Sequence, residues 1–521
     1  MKNSSDDFAE PFNMRIPPKK QNPFLMPLIW LGSYLLTRKN HLKIERNLRG
    51  IKPPFLVVAT HQGFSDYYIA PLALFPHRAN YVSDVEGYAA FGEWLYRSIG
   101  CIGKRRFVPD VNVLLNMKKS IRMKQSVVVY PESRHCNAGT TSYLPDYLGK
   151  LAKYLNVPVV ILSTHGSYLE SPLWDEEYSR RAPIKAKLEC LYTKDEMLNV
   201  NEEEIQEKVA KALQYDEYAW QQENKISLKR SRANGLHKVL YRCPRCNGMD
   251  FVNHDTERDM MLKNSAVMSA GAVNQDVQCD IMMGSIMMTS DEEGVTCEVC
   301  DAKWKLTPLG ELEYADDEES GSKKTNNSRD GDYINDSSKA NNSKDGDYIN
   351  DSSKADNSKN DDDKVGSSKM NSGIYKNERF YTDKDKDAEH DSNNASMTIP
   401  AWYEWERDCA IDDWNNSSRK FTYSVHIEAL PNSKGFIDCG SGTLELNQDA
   451  FLLTFGGQRI VFSHRSRESV QTEYNYKGKG MCIVLSTQDN CYYIYSEERH
   501  FNPTWMQFVA EYLYQQSKKF I

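Results

Sequence analysis

The run HQGFSD puts His61 five positions before Asp66, directly after the apolar stretch FLVVAT at 55–60. Imidazole is the side chain whose ordinary pKa lies nearest neutrality, so His61 suits a general base. Asp66 falls where the apolar run gives way to the helix-like DYYIAPLAL. From there its carboxylate can reach back to one ring nitrogen, fix the tautomer and stabilise the imidazolium. No serine or cysteine nucleophile is needed if the abstracted proton belongs to a substrate hydroxyl. The pair alone is a weak signal, because a surface histidine followed by an aspartate N-cap gives the same pattern. Downstream, GCIGKRRF supplies Gly100 and the consecutive cations Lys104, Arg105 and Arg106. Three cations beside a glycine turn make a phosphate-sized positive site, and arginine can hold phosphate through two hydrogen bonds. VVVYPESRHC then brings Glu132 and Arg134, and NVPVVILST brings Pro158.

A second set of residues points to a metal. Cys243 and Cys246 form one C-x-x-C pair, and Cys297 and Cys300 form another. Two such knuckles predict a four-thiolate structural zinc site, a zinc ribbon. His254 and Cys279 are weaker alternate ligands. The interval between the pairs is long for a ribbon and holds a Met-rich insert that nothing in the sequence explains.

Elements must position these groups. FLVVAT (55–60), SVVVY (126–130) and VPVVILST (157–164) are short apolar runs of the kind expected of strands buried on both faces. VNVLLNMKKSIRMK (111–124) and PDYLGKLAKYL (145–155) have helical periodicity. The expected class is α/β, a mostly parallel sheet flanked by helices. The domain boundaries follow changes in texture. Residues 1–50 are a tail, an interfacial membrane segment and a basic stretch of Arg38, Lys39, Lys43, Arg46 and Arg49. Residues 51–235 are the α/β domain, and 236–314 the ribbon with its insert. Residues 315–397 are a polar, low-complexity linker containing a tandem duplication, NNSRDGDYINDSSKA (326–340) followed by NNSKDGDYINDSSKA (341–355). Such a segment buries too little to offset its entropy and is expected to be disordered. Residues 398–521 alternate strand-like runs with turns and end in an amphipathic helix. This β-rich domain resembles pleckstrin-homology-like domains in element order; a generic β-sandwich is the other reading.

The four motifs, in this order, resemble the sequence blocks of the glycerolipid acyltransferase family, the 1-acyl-sn-glycerol-3-phosphate acyltransferases and their relatives. These are an H-x4-D, a glycine-to-arginine segment, an aromatic-Pro-Glu segment and a V-P-[V/I]-[V/I] segment. The resemblance covers about residues 50–195. It implies that His61 is the base and Asp66 its partner. It further implies that Gly100, Lys104, Arg105, Arg106, Glu132 and Arg134 line the acceptor site, and that Pro158 supports the fold near the acyl chain. Two departures stand out. The aromatic usual in the second block is Gly103 here, which leaves Arg105 and Arg106 as alternative phosphate ligands. The Glu132-to-Arg134 interval is also one residue short. The implied reaction moves an acyl group from a thioester, acyl-CoA or acyl-carrier protein, to a lysophospholipid hydroxyl, with lysophosphatidic acid giving phosphatidic acid as the favoured case. No redox cofactor is required.

Composition sets the outer limits. The chain has 521 residues and a net charge of −8, which gives no case for nucleic acid as a partner. The apolar run Phe24–Leu36, interrupted by Pro27 and Gly32, is shorter than the about twenty residues that a membrane-crossing helix needs. An apolar segment flanked by cations suits a membrane surface, so the expected location is the cytoplasmic face, peripheral or monotopic. The alternative from another class is a non-catalytic lipid-binding scaffold acting through the ribbon and the C-terminal domain.

Overall fold

The apolar runs are strands, and their parallel order decides where the chemistry lies. In the computed structural model, residues 10–175, 179–228, 230, 232–247, 288–315, 397–498 and 500–519 are described. The Met-rich insert, His254, Cys279 and nearly all of the expected linker with its duplication lie outside them. The first sheet contains β1 (Lys43–Asn47), β2 (Leu56–Ala59), β3 (Ala79–Asp84), β4 (Cys101–Lys104), β5 (Ser126–Val129), β6 (Val159–His165) and β7 (Lys185–Tyr192), in the order β1-β7-β6-β2-β5-β3-β4. The run β6-β2-β5-β3-β4 is parallel, whereas β7 is antiparallel to β6. β2 and β5 are buried along their whole length, as strands covered on both faces must be.

Helices cover both faces. Val111–Arg122 and Leu148–Leu155 pack with Val113, Met117, Leu148, Leu151 and Leu155 on one side. Asp66–Leu74 packs with Ile69, Ala70, Ala73 and Leu74 on the other. The parallel strands therefore send their carboxyl ends to one edge, which is where open α/β sheets place their sites.

A second sheet follows, with β8 (Met288–Ser290), β9 (Gly294–Cys297), β10 (Lys303–Leu306), β11 (Glu311–Ala315) and β12 (Met397–Thr398) in antiparallel array. The third comprises β13 (Lys420–Asn432), β14 (Gly435–Asn447), β15 (Ala450–Phe455), β16 (Gln458–Ser463), β17 (Gln471–Glu473), β18 (Cys482–Ser486) and β19 (Cys491–Tyr495). Its order is β16-β15-β14-β13-β19-β18-β17, a single antiparallel sheet rather than two stacked ones. The helix Pro503–Lys518 packs Trp505, Phe508, Val509 and Leu513 into its core, matching the expected element order.

The described residues all fall in one compact unit. One apolar cluster contains Tyr168 and Trp174 of the α/β domain, Val295 and Trp304 of the ribbon, and Trp402, Trp505 and Phe508 of the C-terminal part. The rings of Trp304 and Trp402 meet edge to face at 4.9 Å.

Candidate active site

His61 sits two residues beyond β2, at the carboxyl edge. It is 7% exposed, and its ring packs on Tyr130 at 4.6 Å and on His135 at 4.3 Å. Asp66 opens the next helix. Its Oδ2 accepts hydrogen bonds from the backbone N–H groups of Gln62 (2.7 Å) and Gly63 (3.1 Å) and lies 3.4 Å from His61 Nδ1. Thr164 Oγ1, from β6, donates to Asp66 Oδ1 at 3.3 Å. The carboxylate is thus fixed chiefly by the turn itself. The long contact to the imidazole is of the kind that tightens when substrate binds.

Glu132 holds the histidine from behind. Its Oε1 accepts from the His61 backbone N–H (2.8 Å), and its Oε2 accepts from Ser142 N–H (2.8 Å) and the Tyr215 hydroxyl (2.9 Å). Burial pushes its carboxyl up to about 7, although all three donors favour the charged form. Glu132 is 1% exposed. It holds the His61 backbone and is not among the residues that line the cavity.

A cavity of about 660 Å3 opens beside His61. Leu28, Leu36, Phe64, Phe91 and Tyr96 form its apolar walls, and Asp84, Glu86, Arg106, Arg134, His135 and Glu473 supply polar groups. Arg106 donates from Nε to Asp84 Oδ2 (2.7 Å) and from Nη2 to Glu86 Oε2 (3.1 Å). Arg134 donates from Nη2 to Glu511 Oε1 of the C-terminal helix at 2.9 Å. Arg106 Nη1, Arg134 Nε and Nη1, and His135 Nε2 are buried without a hydrogen-bond partner among the described residues. Burial, then the nearby His61 and Arg106, hold the His135 imidazole well below its ordinary pKa, so it stays neutral.

Several residues expected at the acceptor site lie elsewhere. Arg105 is 2% exposed and points away from the cavity. Its guanidinium donates to the carbonyls of Leu430, Pro431, Gln488 and Asp489 and to Cys491 Sγ, all in the C-terminal domain. β4 ends at Lys104 and the chain turns at Arg106 and Phe107, and of the three cations only Arg106 lines the cavity. Lys104 Nζ donates to Ser133 Oγ at 2.7 Å. Burial lowers its pKa to about 8.

Gly100 and Pro158 precede β4 and β6, at the amino edge. Gly100 has φ +88°, and a Cβ there would lie 2.7 Å from Asn80 Nδ2, so it is a turn requirement. Pro158 is about 20 Å of strand from Thr164, too far to touch the site. The aromatic missing at Gly103 is supplied from outside the motif. Phe12 packs there, and a Cβ on Gly103 would lie 2.5 Å from its ring.

His165 follows the fourth motif in the sequence, whereas Gln62, Glu217 and Glu473 carried no local signal. Gln62 Nε2 donates to Glu217 Oε1 at 2.9 Å, and His165 Nδ1 contacts the same oxygen at 2.8 Å. This pair braces the site from behind, with His165 stacked on Trp220 at 5.1 Å. Glu473 arrives on β17, from the far end of the chain.

The four cysteines converge as expected. Their sulfurs lie within 4.8 Å of one another, with Cys243–Cys300 and Cys246–Cys297 both at 3.7 Å. A tetrahedral ion bonded to sulfur at about 2.3 Å requires S···S edges of about 3.8 Å, so the set fits a metal ion.

The model of the Acyltransferase family matches residues 39–165. That segment carries His61, Asp66, Arg106, Glu132 and Arg134, and it stops short of the ribbon and the third sheet. Among solved structures, a 1-acyl-sn-glycerophosphate (LPA) acyltransferase from Thermotoga maritima is similar at 17% identity and a TM-score of 0.31, over 36% of this chain and 77% of that one. No curated protein matches the chain.

Proposed function

We propose that this chain, whose residues 39–165 form an acyltransferase-family domain, transfers a fatty acyl group from a thioester to the free hydroxyl of a lysophospholipid. The observation that carries this reading is His61 at the cavity wall, with Asp66 fixed behind it and Glu132 holding its backbone. In the reaction, the acceptor oxygen attacks the thioester carbonyl while the His61 imidazole takes the hydroxyl proton. The C–S bond breaks, and the imidazolium returns the proton to the departing thiolate. Asp66 holds the imidazolium in place during the interval. Both acyl-CoA and acyl-carrier protein supply the thioester this step needs. The family resemblance makes lysophosphatidic acid, giving phosphatidic acid, the reference acceptor.

Membrane association is part of the proposal. No helix among the described residues is long and apolar enough to cross a membrane. The helix Met26–Thr37 nevertheless leaves Leu28, Leu31, Leu35 and Leu36 exposed, and Phe24 and Trp94 lie 86% and 71% exposed near it. Leu28, Leu36 and Phe91 of this apolar collar also line the cavity, which suits an acceptor entering from a bilayer surface at the cytoplasmic face. The basic stretch contributes less than expected. Arg46 donates to the carbonyls of Leu72 and Ala73, Arg49 pairs with Glu196, and Lys39 pairs with Glu170.

Zinc is the ion proposed for the four thiolates, in a structural role; metal analysis of the purified chain should find about one zinc per molecule, lost in Cys297→Ser. The catalytic reading is tested by incubating the full chain with a radiolabelled acyl-CoA and a panel of lysophospholipids in mixed micelles. Labelled diacyl product is expected. Its absence with every donor and acceptor, in folded protein, favours the scaffold alternative.

A further inference from the structure

The cation expected to bind phosphate is surrounded by acids. Arg106 Nε and Nη2 are taken by Asp84 and Glu86, and Nη1 lies 3.7 Å from Glu473 Oε1. The three carboxylates come from three places: the end of β3, the helix Val85–Phe91 that follows it, and β17 of the C-terminal domain. All three line the cavity with His61. The cavity's other arginine, Arg134, already faces Glu511, which Arg407 shares.

Three carboxylates crowd one guanidinium in a place where burial strengthens every interaction, so a ligand that brings a positive charge among them is favoured over one that brings negative charge. The crowding pushes two of them towards protonation. The Glu473 carboxyl is pushed up to about 7, first by burial and then by the charge of Glu86, against the pull of Arg106. Glu86 is raised by burial and by Asp84. A phosphate monoester, with close to two negative charges at neutral pH, meets this wall unfavourably. A zwitterionic head fits better. Its phosphodiester can take the unpartnered Nε and Nη1 donors of Arg134, and its ammonium can sit among the carboxylates. Phe91 and Tyr96, stacked at 5.7 Å on the same wall, offer ring faces to a cation.

We propose that Glu473, supplied by the C-terminal domain, is a specificity-determining residue of the acyltransferase cavity. With Asp84 and Glu86 it selects a lysophospholipid whose head carries an ammonium group over one ending in a phosphate monoester. This rests on the acyl-transfer reading for the reaction, but the charge argument concerns binding and has its own readout. It also gives the fused C-terminal domain a role: its β17 forms part of the wall that reads the acceptor.

The test uses the full chain with lysophosphatidylethanolamine and lysophosphatidic acid of the same acyl length. Binding is measured by calorimetry without donor, below the micelle concentration, and turnover is measured with acyl-CoA. Wild type is expected to favour the ethanolamine lipid at least tenfold in Kd and in kcat/KM. E473Q should lose most of that preference, through the Kd and KM of the ethanolamine lipid rather than through kcat, and E473D should retain it. E86Q should shift the preference in the same direction, and melting curves of each variant establish that it is folded. Turnover that favours lysophosphatidic acid, or a preference unchanged in E473Q and E86Q, overturns the inference and leaves the acyl-transfer reading standing. Charge-selective binding without product from either lipid supports the inference and counts against the reaction. Binding of neither lipid overturns the inference as well.

Discussion

At the residue scale, the meeting of His61 and Asp66 was legible because it is local: five positions bring Asp66 back under His61 across one turn. The KRR run was legible only as charge. The turn that follows β4 sends Arg106 into the cavity and Arg105 to the C-terminal domain, and a run of like charges does not say where the strand ends and the turn begins. The destination of Arg105 has a measurable consequence. Replacing it with alanine leaves the carbonyls of Leu430, Pro431, Gln488 and Asp489 without their donor. Hydrogen bonds to a charged group contribute enough that Arg105→Ala should cost roughly 3 kcal/mol of stability. Lysine cannot reproduce the planar fork, so Arg105→Lys should recover little. Denaturant midpoints for the two variants check this; an unchanged midpoint in Arg105→Ala would mean that the contact does not hold the C-terminal domain in place.

At the element scale, strands β2, β5 and β6 and the helices at 111–122, 148–155 and 503–518 follow the apolar patterns that announced them. Less legible was where the chain re-enters the fold. Leu312 of β11 pairs with Met397 of β12, so residues far apart in the sequence are neighbours at one sheet edge. Loop-closure cost grows slowly with length. Replacing 316–396 by a short Gly/Ser connection should therefore leave the melting temperature within a few degrees of wild type. A loss of soluble protein would show that the excursion carries structure the sheet needs. The third sheet contains a pH-sensitive point. His464 is 2% exposed, and its Nε2 donates to the Asn447 carbonyl. Burial, and beyond it the charge of Arg467, lowers its pKa to about 4. Because the folded pKa lies below the unfolded value, its stabilisation is present above pH about 6.5 and is lost as pH falls towards 4. Urea midpoints of wild type should thus fall between pH 7 and 5 more steeply than those of His464→Gln; parallel curves would remove His464 from the acid response.

At the scale of the whole molecule, changes in texture suggested separate domains, whereas Trp174, Trp304 and Trp505 join α/β domain, ribbon and C-terminal part in one core. Periodicity reports which face of an element is apolar; it does not report which distant element covers that face. This is why Glu511 beside Arg134, and Glu473 beside Arg106, could not be read from the sequence. The same integration means that the cavity beside His61 is walled in part by residues outside the family-matched segment 39–165, Leu28, Leu36 and Glu473 among them. The central claim remains that His61 is the base for acyl transfer, and its most direct test is the turnover number of His61→Ala with acyl-CoA and lysophospholipid, beside a melting curve. The account predicts a fall of about 10²–10⁴-fold in kcat, with the melting temperature unchanged. A folded His61→Ala protein that turns over within a few-fold of wild type would contradict it.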